Sequence, residues 1–147
     1  IRNTWKAVVS RVVLDAGPLV ALIDRSDQFH NWAIAKTREF SKEVELITCD
    51  AVISETFFLV QHAPGGVAGL LNFLEEGAVR LEFDLRDNVS IVADLMRKYA
   101  DMPMSLADAC LVRMTELNDR APVFTTDSDF KIYRRHSRQA IPLIFPA

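Results

Sequence analysis

Apolar residues fall into two kinds of run along this chain. Short runs rich in Val, Ile and Leu read as strands: RVVLD (11–15), VELIT (44–48), AVRLEF (78–83), PVFTT (122–126) and IPLIF (141–145). Between them lie longer stretches that read as helices. GPLVALID (17–24) has Pro18 suited to a first helical turn. DQFHNWAIAKTREFSK (27–42) carries Phe29, Trp32, Ala33 and Phe40 at roughly helical spacing. DAVISETFFLVQHA (50–63), a segment over about 67–76, RDNVSIVADLMRKYA (86–100) and SLADACLVRMTELN (105–118) complete the set. Strands alternating with helices of this length indicate βαβ units, hence an α/β fold of three layers with a central parallel sheet flanked by helices. Such sheets bind ligands beyond the carboxyl ends of their strands, where the strand order reverses.

Composition adds bounds. With 147 residues, 50% hydrophobic and 25% charged, the chain suits one globular domain with a single sizeable core. Residues 11–147 read as that domain, and 1–10 as an N-terminal extension or expression remnant. A net charge of −3 argues against broad electrostatic capture of nucleic acid but excludes nothing local. Cys49 and Cys110 form neither a CxxC pair nor a disulfide framework, which fits buried thiols in a reducing cytoplasm. His30, His62 and His136 lack metal-ligand spacing. The longest apolar run, VVLDAGPLVALI, is broken by Asp15, Gly17 and Pro18, so no membrane span is expected.

The acids divide into two groups. Asp94, Glu116 and Glu39 each have basic residues within a helical turn and read as solvated faces with weak local pairs. Asp15 ends the first strand, and Asp127 ends the apolar run in VFTTDSDF (123–130). Glu55 and Asp108 sit in apolar helical stretches without a cation at i±3 or i±4. Each has a plain structural reading: Asp15 as a helix cap, Asp108 in a capping box with Ser105, Asp127 and Asp129 in a turn, Glu55 paired with a distant Arg113. A shared cause fits all four better. Acids at two strand ends and in a first helical turn can converge on one rim, and such clusters bind Mg²⁺ or Mn²⁺.

The segments VVLDAGPLVALID (12–24), VISETFFLV (52–60), YADMPMSLADACLVRMTE (99–116) and VFTTDSDFKIY (123–133), in that order and spacing, resemble the PIN-domain ribonucleases, most of all the VapC-type toxins of toxin–antitoxin pairs. The resemblance implies a PIN-like fold and a hydrolytic endoribonuclease dependent on Mg²⁺ or Mn²⁺, with a metal-activated water as nucleophile. It also implies a small antitoxin as partner and a homodimer. Asp15, Glu55, Asp108 and Asp127 match the family's acidic metal positions, with Asp129 beside the last of them and Asp101 in a supporting or turn role. Thr126 is placed to position a ligand or substrate. The basic segment KIYRRHSR (131–138) reads either as an ordinary solvated loop or as a patch that holds RNA, with Lys131, Arg134 and Arg135 on phosphates and Tyr133 stacking on a base. A phosphate-accepting, receiver-like signalling domain is the alternative from another class, yet it needs an acidic pair after the first strand and a lysine after the last, where this chain has Asp15 alone and IPLIFPA. A catalytically inactive PIN-like module that binds RNA or a partner is the other.

Overall fold

A computed structural model describes residues 9–147, so most of the expected extension lies outside the described residues. The first strand, β1 (Arg11–Leu14), runs through the middle of the molecule, and Val12, Val13 and Leu14 are fully buried because helices cover both its faces. Helix α1 (Ala16–Ile23) follows at once, with Pro18 at its third residue, where a missing N–H costs no intrahelical bond. Helix α2 (His30–Glu39) starts later than its apolar spacing indicates. Asp24 accepts from Ser26 N and Asp27 from Phe29 N, and these side-chain turns hold the preceding segment out of the helix.

After β2 (Glu45–Thr48) come α3 (Asp50–Val60) and α4 (Gly66–Glu75). The corner between them requires glycine at 66, where a Cβ would run into the Val60 carbonyl. Strand β3 (Val79–Leu81) leads to a 3-10 turn over Leu85–Asn88, capped by Asp84, which takes up the first part of the expected 86–100 helix and leaves α5 as Val89–Lys98. Helix α6 (Leu106–Leu117) leads to β4 (Val123–Phe124), and a second 3-10 turn spans Ser128–Lys131. The basic segment then folds into a small antiparallel hairpin, β5 (Arg134–Arg135) with β6 (Gln139–Ala140), before the last strand, β7 (Leu143–Ile144).

The main sheet runs β3–β2–β1–β4–β7 with every pairing parallel. Alternation along β1 sends Val13 toward α5 and α6, while Val12 and Leu14 face the other layer, where Phe124 meets the ring edges of Trp32 and Phe40 at 5.2 and 5.8 Å. The chain is thus the expected three-layer α/β/α sandwich. The strand order reverses between β1 and β4. No helix among the described residues is long and apolar enough to cross a membrane.

Candidate active site

The reversal point delivers two carboxylates directly. Asp15 follows β1 and is 8% exposed. Its Oδ1 accepts from Ala16 N at 2.7 Å, capping α1, and its Oδ2 accepts from Thr125 Oγ1 at 2.7 Å. The same Thr125 oxygen accepts from Asp127 N at 2.9 Å, and Asp127 Oδ1 accepts from Asp129 N at 2.9 Å. One hydroxyl therefore ties the end of β1 to the loop after β4. Close by, Thr126 Oγ1 occupies the space a Cβ at Gly17 would need, which presses the loop onto the first turn of α1.

Helix α6 brings the third acid. Ser105 and Asp108 form the full capping box: Ser105 Oγ accepts from Asp108 N at 3.0 Å, and Asp108 Oδ2 accepts from Ser105 N at 3.3 Å. Asp108 Oδ2 also accepts from the Tyr133 hydroxyl at 3.1 Å. Capping and membership of the cluster are compatible, because the interactions fall on one oxygen and Oδ1 makes no hydrogen bond among the described residues. Glu55 projects from α3 into solvent; Arg113, its conceivable distant partner, instead pairs with Asn88 and Glu116.

Electrostatics bind the four acids into one group. Burial pushes the Asp15 carboxyl up to about 6; hydrogen bonds from Thr125 and Ala16 oppose the rise, and the charges of Asp108 and Glu55 add to it. Glu55 is raised by burial, then by Asp108 and Asp127. Asp108 is raised mainly by burial, with Asp127 contributing. Among the described residues, no group of three or more His, Cys, Asp or Glu side chains is placed to hold a metal ion. The donor set nevertheless suits a hydrated Mg²⁺ or Mn²⁺, which takes one or two carboxylates and keeps several waters. A cation there would offset the repulsion that adds to burial in raising Asp15, Glu55 and Asp108.

The expected RNA-binding segment is arranged differently. Tyr133 is fully buried, edge-on to Tyr99 and Phe130 at 5.1 and 5.2 Å, so its ring has no face to offer a base. Its hydroxyl serves Asp108 instead, and burial together with that carboxylate keeps it protonated. Arg135 is also buried, paired with Asp119 at 3.1 Å, and its Nε has no partner. Arg134 turns its Nη1 onto the carbonyls of Lys131, Ile132 and Tyr133. These three residues brace the hairpin and the site. Lys131 stays exposed, 4.2 Å from the Phe145 ring centre. Asp101 lies in the turn before α6.

Two roles were missed in the sequence: Thr125 as the donor to Asp15, and the Tyr133 hydroxyl as the donor to Asp108. The first had a signal. Thr125 and Asp127 are two residues apart at a strand end, and a buried carboxylate on the neighbouring strand needs a donor.

No curated protein matches the chain. The family model described as PIN domain matches residues 12–135, a span holding the whole acid cluster, and PIN domains are generally nucleases. By sequence family and by fold, the chain belongs to the PIN domain family.

Proposed function

We propose that this chain is a Mg²⁺- or Mn²⁺-dependent endoribonuclease and the toxin of a toxin–antitoxin pair. The observation that carries the reading is the gathering of acids from separate segments near the reversal point of the sheet: Asp15 tied through Thr125 to the Asp127 loop, and Glu55 and Asp108 close enough for their charges to add to the burial that raises the Asp15 carboxyl. These residues would hold the cation directly or through water, with Asp129 alongside Asp127. When bound, such a cation lowers the pKa of a water and stabilises the leaving oxygen of a phosphodiester. The protein's own contribution is orientation. Thr125 fixes the Asp15 carboxylate, and Ser105 with Tyr133 fixes one oxygen of Asp108. Among the described residues, no side-chain constellation suited to a covalent nucleophile lies at this rim, and water is the proposed attacking group.

The toxin role rests on the likeness of the four motif segments to VapC-type proteins. On that reading a small antitoxin covers the acid rim, and the active form is a homodimer. The decisive experiment is cleavage of a pooled structured RNA with Mg²⁺, with Mn²⁺ and with EDTA, wild type beside Asp15→Asn. Metal-dependent cuts lost in the variant are expected; an active Asp15→Asn protein would sink the assignment. Growth arrest on expression, absent for Asp15→Asn, is the expected sign of the toxin role.

A further inference from the structure

Beside the acid rim lies a cavity of about 760 Å³, a size typical of small-ligand sites. It opens beyond the carboxyl ends of β2 and β3, between the start of α3, the Leu85–Asn88 turn and the first turns of α6. Its floor is formed by the buried free thiols of Cys49 and Cys110. Phe83, Leu85 and Leu106 form apolar walls, and the two leucines are 38% and 42% exposed. On the polar edge Asp84 is engaged, its Oδ1 accepting from Arg86 N at 3.0 Å. The side chains of Asp50, Ser54 and Arg86 line the cavity and make no hydrogen bond or ion pair among the described residues.

Location ties this cavity to the acids. Ser54 directly precedes Glu55, and Leu106 and Cys110 stand two residues either side of Asp108. On a helix of 3.6 residues per turn, those two point away from Asp108, so the cavity and the carboxylates occupy opposite sides of one turn. A strand crossing the start of α6 reaches both.

We propose that this cavity receives an unpaired guanine of the RNA, one or two nucleotides from the cleaved bond. The inference rests on the nuclease reading above and names its specificity. The apolar walls suit a flat base removed from its stack, the usual way single-stranded RNA is read. The edge carries two carboxylates, of which Asp84 already accepts from Arg86 N and Asp50 makes no hydrogen bond, and one guanidinium, that of Arg86. Guanine answers Asp50 and Arg86, offering N1–H and N2–H to an acid and O6 and N7 to an arginine fork. Uracil presents two carbonyls beside its single N–H and would repel Asp50. Adenine and cytosine each offer one amino group and cannot match the carboxylate twice.

The test uses full-length Asp15→Asn protein in Mg²⁺ and four fluorescent RNA hexamers, uridine throughout except one central G, A, C or U. The G hexamer is expected to bind about tenfold tighter than the others, the scale of one good bidentate contact. Asp50→Asn, Arg86→Ala and the cavity-filling Ser54→Trp, each shown to be folded by its melting curve, should each erase that preference. Wild-type protein should cut within two nucleotides of G. Equal binding of all four hexamers, no binding of any, or a preference indifferent to all three variants overturns the guanine site, and does so even if wild type cleaves RNA. Selective binding abolished by those variants upholds the site, and if wild type then cleaves nothing, the nuclease reading alone fails.

Discussion

Asp15 concentrates the conflict between folding and chemistry in one side chain. Its carboxyl titrates at 3.8 in an ordinary setting and about 6 in the folded protein. Below pH 3.8 both folded and unfolded chains hold the proton, and the site costs nothing. Between 3.8 and 6 the unfolded chain releases it first, so stability falls as pH rises. Above that window the full cost persists, roughly 3 kcal/mol at about 1.4 kcal/mol per pH unit. Asp15→Asn removes it, because a carboxamide can still accept from Ala16 N while Thr125 reorients to accept from it. The metal-free variant should melt several degrees above wild type at pH 7.5, with the gap closing toward pH 4, as scanning calorimetry in EDTA would read. A variant that melts lower at pH 7.5 would refute the strain. Tyr133→Phe keeps the buried ring and deletes only the bond to Asp108. It should cost about 1.5–3 kcal/mol in urea unfolding, the range for a hydrogen bond to a charged group. The sequence singles out the four acids as candidates, Glu55 and Asp108 because they lack a local cation and Asp15 and Asp127 because they end strands. It did not show the donors that orient them, since a buried Tyr and a stacking Tyr look the same in one dimension.

At the scale of elements, α6 has two duties in its first turn. Ser105 starts the helix and at the same time anchors the backbone beside Asp108. Ser105→Ala should cost about 1 kcal/mol through the lost cap. If the cap also orients Asp108, Mn²⁺ affinity measured by calorimetry should drop with it, whereas a pure stability effect would leave it unchanged. The hairpin β5–β6 makes the contrary case. Arg135 is buried against a well-exposed Asp119 and leaves Nε unpaired, an arrangement that stabilises little. Arg135→Met should therefore stay within about 1 kcal/mol of wild type, because an apolar chain of similar volume avoids the desolvation cost. RNA affinity should likewise be unaffected, while Lys131→Ala should weaken it and flatten its salt dependence. The helices and strands were legible in outline because the apolar period changes between them. Their ends were less so, for local side-chain turns at Asp24, Asp27 and Asp84 decide those ends. The hairpin was not legible at all: its two-residue strands are too short for any period, and Arg135 is buried against the expectation for a basic run.

For the whole molecule, strand order decides what the acids can do. Parallel strands in the order β3–β2–β1–β4–β7 set the ends of β1 and β4 side by side although more than 100 residues separate them in sequence, as the Asp15–Thr125 bond shows. Strand–helix alternation along the chain pointed to a parallel sheet, but the pairing of β1 with β4 emerges only from the folded structure. If the cluster binds a cation, ligand binding to the folded state alone raises stability by mass action. Millimolar Mn²⁺ should then raise the melting temperature of wild type and leave Asp15→Asn nearly unmoved; equal shifts in both would place the cation elsewhere.

The Thr125 bridge also bears on the order of events during synthesis. A ribosome releases Asp15 and Glu55 early, Asp108 late, and Thr125 with Asp127 later still. Until those last residues emerge, Asp15 has no donor for its Oδ2 and the rim lacks its fourth acid. If the rim cuts RNA as proposed, a nascent chain lacks that activity until the segment carrying Thr125 and Asp127 has emerged and folded against β1.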